Sequence, residues 1–265
     1  MARTLPQHDG FDGFFQTLRA ASESALLLDY DGTLAPFRID PRTALPYPGV
    51  CELLDRIIDQ GRTRVVLVTG RWIKDLLPLL RLGHMPEIWG SHGWEQLQPD
   101  GEYQTASIGE AALRSLVNAD AWTGRVEAAG GRCEHKPAGL AIHWRGLTAD
   151  QIAAIRAVVL EQWRCLHLDE HLHWHDFDGG VELRAPGRTK AYALQMVLAE
   201  MNPQTAIAYL GDDETDEDAF RALQGRGMGV LVRPQPRPSN ARHWLQPPHA
   251  LLEFLQRWHQ ARDAE

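Results

Sequence analysis

Two aspartates one residue apart, Asp29 and Asp31, follow the apolar run Ala25–Leu28 and precede Gly32 and Thr33. Carboxylates that close repel each other, and without help one of them would hold its proton. A divalent cation removes the conflict, and a site made of oxygen ligands favours Mg²⁺. Other reactive groups stand at comparable places. Thr69 ends the run Val65–Val68, Lys190 follows Pro186-Gly187-Arg188-Thr189, and Gly211 opens an acidic stretch, Asp212-Asp213-Glu214-Thr215-Asp216-Glu217-Asp218. A carboxylate nucleophile, a second acid, a hydroxyl, an amine and a metal-binding acid pair suit phosphoryl transfer, which needs mostly positioning and charge neutralisation. The acidic stretch also has a plainer reading. Thr215 can cap a helix whose first turn carries acids, which suits the helix dipole. That accounts for Asp216 to Asp218 but leaves Asp212 and Asp213 on a strand end, where a metal is the better explanation.

These groups can meet only if the elements carrying them are neighbours. Ala25–Leu28 is short, apolar and flanked by turn signals, as a strand buried on both faces of a parallel sheet should be. Val65–Val68, a shorter run at 87–90, Ala206–Leu210 and Met228–Val232 read the same way. Helices are expected at 9–22, 48–60, 72–82, from Lys190 to Met201, and at 249–262. Strands alternating with helices imply a parallel sheet with right-handed crossovers, whose carboxyl edge is where ligands bind. The rhythm breaks after the turn at Pro99-Asp100-Gly101. Helices at 108–130 and 148–162 alternate there with strand-like runs at 131–136, 139–145 and 165–177, and Asp178-Gly179-Gly180 reads as a hairpin turn. This is an α+β insertion, placed at 107–180.

Composition narrows the function. The chain has 265 residues, 44% of them apolar, with 27 Lys and Arg against 35 Asp and Glu. A net charge of −8 argues against nucleic acid as a partner. A phosphorylated small molecule remains open, because a metal and local cations can hold it. Three cysteines without a CxxC pair argue against a disulfide scaffold or a structural zinc site. Neither a leader pattern nor an apolar stretch of membrane-spanning length is evident, so the expectation is a cytoplasmic protein without membrane attachment, and a monomer. His171, His173 and His175 alternate and would share one strand face, open in principle to a transition metal, though no fourth ligand is evident.

In order, Asp29-Tyr30-Asp31-Gly32-Thr33, Thr69, Lys190 and Gly211-Asp212-Asp213 resemble the four motifs of the haloacid-dehalogenase-like (HAD) phosphatases. The insertion between the second and third motifs is similar to the C2-type cap of that superfamily. The resemblance implies an α/β fold: a Rossmann-like parallel-sheet core, residues 1–106 plus 181–265, with an inserted α+β cap. Within that group the chain resembles the trehalose-6-phosphate phosphatases. The signal lies in Gly-Asp-Asp-x-Thr-Asp-Glu-Asp at 211–218, Ser91-His92-Gly93-Trp94-Glu95, Glu134-His135-Lys136, His143-Trp144-Arg145 and Val181-Glu182-Leu183-Arg184. Trp144, Ala185, Ala191 and Trp94 depart from the family pattern without removing a reacting group.

The resemblance implies Mg²⁺-dependent hydrolysis of trehalose 6-phosphate. Asp29 would attack phosphorus to form an aspartyl phosphate, and Asp31 would donate and accept the proton. Mg²⁺ would sit on Asp29, the Asp31 carbonyl and Asp212. Thr69 and Lys190 would bind phosphoryl oxygens, and Arg71 would bind substrate. Asp213 and Asp216 would orient waters or Lys190. Glu134, Lys136 and Glu182 would hold sugar hydroxyls. The alternatives are another sugar phosphate as substrate, or a phospho-accepting switch module, which uses a similar strand-end Asp, Thr and Lys.

Overall fold

A computed structural model describes residues 10–177 and 179–263. The strands are β1 Ser24–Leu28, β2 Thr63–Val68, β3 Glu87–Gly90, β4 Glu95–Leu97, β5 Tyr103–Thr105, β6 Arg132–Lys136, β7 Gly139–His143, β8 His173–Phe177, β9 Gly180–Arg184, β10 Ala206–Gly211, β11 Met228–Val232 and β12 His243–Leu245. The helices are α1 Asp12–Ala20, α2 Val50–Asp59, α3 Ile73–Leu76, α4 Glu110–Asp120, α5 Thr123–Ala128, α6 Ala149–Cys165, α7 Lys190–Ala199, α8 Glu214–Ala222 and α9 His249–Asp263. The chain divides into two compact units, residues 1–104 with 189–265, and residues 105–188.

The first unit is built on an eight-stranded sheet of order β12-β11-β10-β1-β2-β3-β4-β5. The pairs from β12 to β3 are parallel, and β4 runs antiparallel to β3. β1 lies at the point where connections lead outward in both directions, the position at which such sheets bind ligands. Its alternation explains why it is apolar throughout. Leu26 and Leu28 join the core containing Phe15, Leu54, Leu255 and Trp258, whereas Ala25 and Leu27 join the opposite one with Leu194, Val197 and Phe220. Both faces are covered, as the continuous apolar run anticipates.

The second unit holds an antiparallel sheet of order β6-β7-β9-β8. Leu140, Ile142, Val181 and Leu183 are buried on it, and α4 and α5 pack against β7 and β6. The insertion is therefore longer than its expected 107–180. Strand β9 pairs with β7 and β8 rather than with the parallel sheet, which carries Val181 to Arg184, and with them Glu182, into this unit. The hairpin expected around Asp178 is present as the β8–β9 pair, although Asp178 itself lies outside the described residues. Residue 9 of the first expected helix lies outside them too, and that helix starts at Asp12.

Other boundaries also shift. The helix expected at 72–82 is one turn, α3, followed by a 3₁₀ turn at Leu77–Leu79, because Pro78 cannot continue the ladder. The helix expected at 108–130 is two, broken where Trp122 turns into the interior at 4% exposure. Helix α6 runs on to Cys165, so only 173–177 of the expected run 165–177 is strand. His171 ends a 3₁₀ turn at Leu168–Glu170, which leaves His173 and His175 alone on the strand face. The transition-metal reading loses its third ligand. Among the described residues no helix is long and apolar enough to cross a membrane.

Trp258 closes the larger core. It is fully buried against Phe14 and Phe254, and its indole N–H donates to the Thr63 hydroxyl at 3.1 Å. Trp258→Ala should lower the unfolding free energy by about 3–5 kcal/mol in urea titration, the cost of a large aromatic cavity; a loss below about 1 kcal/mol would contradict this packing.

Candidate active site

Three buried carboxylates, Asp29, Asp212 and Asp216, approach one another closely enough for an oxygen from each to lie within 4.8 Å of the others. Asp29 follows β1 and Asp212 follows β10, and the two strands are paired; the Asp29 amide still donates to the Leu210 carbonyl at 2.9 Å. Asp216 sits in the first turn of α8. Its approach to the strand end requires glycine at 211, since a Cβ there would collide with the Asp216 carboxyl. Gly32 is needed for the same reason: it has φ +81°, and a Cβ would run into the Asp212 carboxylate.

Lys190 is the cation of this cluster. Its Nζ lies 2.8 Å from Asp29 Oδ1 and 2.9 Å from Asp216 Oδ1, with the side chain 3% exposed. Thr189 caps α7 and so presents Lys190 at the helix N-terminus. The Asp216 carboxylate is fully used. Oδ1 also accepts from the Tyr209 hydroxyl at 2.6 Å, and Oδ2 accepts from the amides of Asp212 and Asp213 at 3.1 and 3.0 Å. Burial, against the opposing pull of Lys190, pushes Asp29 up to about 7. Burial and the neighbouring Asp29 and Asp216 charges push Asp212 well above the carboxylate range. Burial alone would lower Lys190, but Asp216 and Asp29 outweigh it and hold the ammonium charged.

The cluster fits a divalent cation. Three buried acids face a single ammonium, and Asp212 Oδ1 is buried with no hydrogen-bond partner among the described residues. A bound cation would satisfy that oxygen and remove the repulsion that raises Asp29 and Asp212. Asp216, already saturated, suits the expected role of orienting Lys190 rather than ligation. Asp213 occupies the N-cap of α8, where Thr215 was expected, because the chain is still extended there, φ −108° and ψ 176°.

Asp31 stands apart from the cluster. Its carboxylate accepts two hydrogen bonds from Arg71, from Nε and Nη2, both 2.6 Å long, and Arg71 also donates to the Pro41 carbonyl at 3.0 Å. Arg71, expected to bind substrate, here grips the second acid. Thr69 extends β2 beside Asp29, buried, its hydroxyl accepting from the Arg71 amide at 3.1 Å.

Several supporting groups have no role assigned by the sequence, although Glu217 and Glu95 lie within its motifs. Arg233 and Arg237 donate to the Asp212 carbonyl at 3.0 and 3.3 Å. Glu217 secures Arg237 together with Ser239 and Asn240. Glu95 accepts from Ser91 Oγ at 2.5 Å and from the Tyr103 hydroxyl at 2.8 Å. It fixes the turn in which Ser91 and His92 take φ of +48° and +57°, a strained backbone of the kind found where a loop has a task. The one advance signal was the spacing Ser91 to Glu95.

In the second unit, Glu134, Lys136 and Glu182 share one sheet face. Lys136 Nζ is 3.1 Å from Glu182 Oε1, and Glu134 Oε2 is 2.9 Å from His143 Nε2 and 3.3 Å from Arg132. Burial would raise Glu134, but the His143 hydrogen bond and the Lys136 and Arg132 charges bring it down to about 2. A depressed carboxylate stabilises the fold above its unfolded value, and that stabilisation fades as pH falls through the folded one. Glu134→Gln should therefore cost about 2–3 kcal/mol at pH 6 and about half of that at pH 3, measured by urea unfolding. A pH-independent difference would contradict the pairing.

The trehalose-phosphatase family model matches residues 27–248. The trehalose-phosphate phosphatase of Mycobacterium marinum is 33% identical over 247 residues, covering 88% of this chain and 60% of that protein. That of Mycobacterium avium is 31% identical over 256 residues, covering 90% and 62%. The chain thus spans about three fifths of the length of these curated relatives. The C-terminal domain of Candida albicans trehalose-6-phosphate phosphatase superposes with a TM-score of 0.82 at 19% identity, covering 97% of this chain and 98% of that one, a likeness of fold. By the extent of the family match and the identity to these relatives, the chain belongs to the trehalose-phosphatase family.

Proposed function

We propose that this protein hydrolyses trehalose 6-phosphate to trehalose and phosphate through an aspartyl phosphate on Asp29, with Mg²⁺ as cofactor. The observation that carries the chemistry is the Asp29 carboxylate. Lys190 holds one oxygen, which fixes its orientation and leaves the other free to attack. The substrate rests on family membership and on the polar sheet face of the second unit.

Asp29 attacks phosphorus while the bond to the sugar oxygen breaks, and Asp31 gives that oxygen its proton. Water then attacks the phosphorus, Asp31 takes the water proton, and the bond to Asp29 breaks to release phosphate. To carry a proton Asp31 must leave Arg71, and an incoming phosphoryl dianion is the natural competitor for that guanidinium. Thr69 and Lys190 bind phosphoryl oxygens. Mg²⁺, held by Asp29, the Asp31 carbonyl and Asp212, would neutralise phosphoryl charge. Glu134, Lys136 and Glu182 hold sugar hydroxyls, each charged group making strong directional hydrogen bonds.

The test is phosphate release, in the presence of Mg²⁺, from trehalose 6-phosphate, glucose 6-phosphate and sucrose 6-phosphate. Trehalose 6-phosphate should be strongly preferred, and Asp29→Asn should lower its turnover at least about a thousandfold. Equal rates on all three substrates would overturn the substrate, and a stable phosphoprotein without turnover would favour a phospho-accepting switch.

A further inference from the structure

Among the described residues most buried charged side chains make hydrogen bonds. Arg262 donates from its two Nη atoms to the carbonyls of Leu18, Ala21, Ser22 and Arg62, although its Nε has no partner among the described residues. Glu87 accepts from Arg64, Trp89 and Gln96. Asp212 departs from this pattern, and a cation accounts for it. Arg184 is another exception. Its side chain is 6% exposed, its Nε is buried without a hydrogen-bond partner among the described residues, and its nearest acidic oxygen, Glu182 Oε2, lies 3.9 Å away. That is an ion-pair distance and not a hydrogen bond. A buried N–H donor without an acceptor is disfavoured, and Arg184 has the donor geometry that an oxygen-rich ligand satisfies.

The register shows what surrounds it. Arg184 pairs across β9 and β7 with Gly139, which in turn pairs with Lys136; one row over, Glu182 pairs with Ala141, and Ala141 with Glu134. Paired residues share a face, so a floor of small residues runs between charged walls. A Cβ at Gly139 would lie 3.3 Å from Arg184 Cγ and 3.2 Å from Glu182 Oε1, so glycine keeps that floor low. His175 stands opposite Glu182 on β8. Burial and the Arg184 charge push it down to about 4, so at neutral pH its ring offers one donor and one acceptor.

Two oxygen ligands could answer Arg184, a phosphate or a pair of hydroxyls. A phosphate dianion would lie against Glu182 and be repelled. A hydroxyl can accept from Arg184 and donate to Glu182 at once. We propose that Arg184 binds substrate, its guanidinium donating to adjacent hydroxyl oxygens of the disaccharide, with His175 at the edge of the same subsite. This rests on the proposed function, and it adds a sugar-binding side chain beyond Glu134, Lys136 and Glu182.

Arg184→Met and Arg184→Lys, compared with wild type on trehalose 6-phosphate and on p-nitrophenyl phosphate, which has no sugar, test it. The Met variant should raise KM for trehalose 6-phosphate about ten- to hundredfold and leave kcat/KM for p-nitrophenyl phosphate within about threefold. The Lys variant, with its charge but without paired donors, should fall between. Calorimetric titration of wild type and the Lys variant with trehalose gives a readout free of turnover, usable even if the Met variant fails to fold; binding should weaken in the variant. Parallel losses on both phosphate substrates, or unchanged trehalose affinity, would overturn the assignment. Absence of wild-type turnover on trehalose 6-phosphate would instead overturn the function, with the trehalose titration still deciding Arg184.

Discussion

The first unit is organised around the buried ammonium of Lys190, held between Asp29 and Asp216. A lysine this deep survives charged only because two carboxylates accept from it, and those carboxylates survive together only because it is there. Every neighbouring choice follows from that dependence. Tyr209 and two amides saturate Asp216, so the lysine is held from a rigid point. Gly211 and Gly32 are small where the acids crowd the backbone. The pairing of β10 with β1 brings Asp212 to Asp29, so three carboxylates share one buried ammonium, with Arg233 3.8 Å from Asp212 Oδ2. The site is thus built electrostatically incomplete, which is the physical basis for a metal.

On the proposed function, the two sheets would divide the work by chemistry. The parallel sheet ends in groups suited to phosphorus: a carboxylate that could act as nucleophile, a hydroxyl, an ammonium and acids that could hold a cation. The antiparallel sheet carries ionic and imidazole groups over a floor of glycine and alanine, which suits hydroxyls. Asp212 Oδ1 in the first unit and Arg184 Nε in the second are among the buried charged-group atoms that have no hydrogen-bond partner among the described residues. Since unpaired buried charge is disfavoured, both are read as places where a ligand completes the structure.

Much of this is legible in the chain. Short apolar runs ending in Asp29, Thr69 and Asp212 mark strands buried on both faces, and the reactive ends follow from the order of those runs. The resemblance supplies roles that spacing cannot. What remains hidden depends on contacts distant in sequence. Arg71 and Asp31 are forty residues apart, and no local pattern pairs them. Tyr209 looks like another core residue until α8 places Asp216 under its hydroxyl. Strand β9 carries an apolar–polar alternation that either sheet could use, and only its register with β7 and β8 assigns Glu182 and Arg184. The helix expected at 72–82 fails at Pro78, a signal that the apolar periodicity outweighed.

On the proposed function, the cluster around Lys190 binds a divalent cation through Asp212. Calorimetric titration of Mg²⁺ into the wild-type protein and into Asp212→Asn tests it without recourse to turnover. The account predicts a single Mg²⁺ site in the wild type that is lost in the variant. Failure of the wild type to bind Mg²⁺, or undiminished binding by Asp212→Asn, would contradict it.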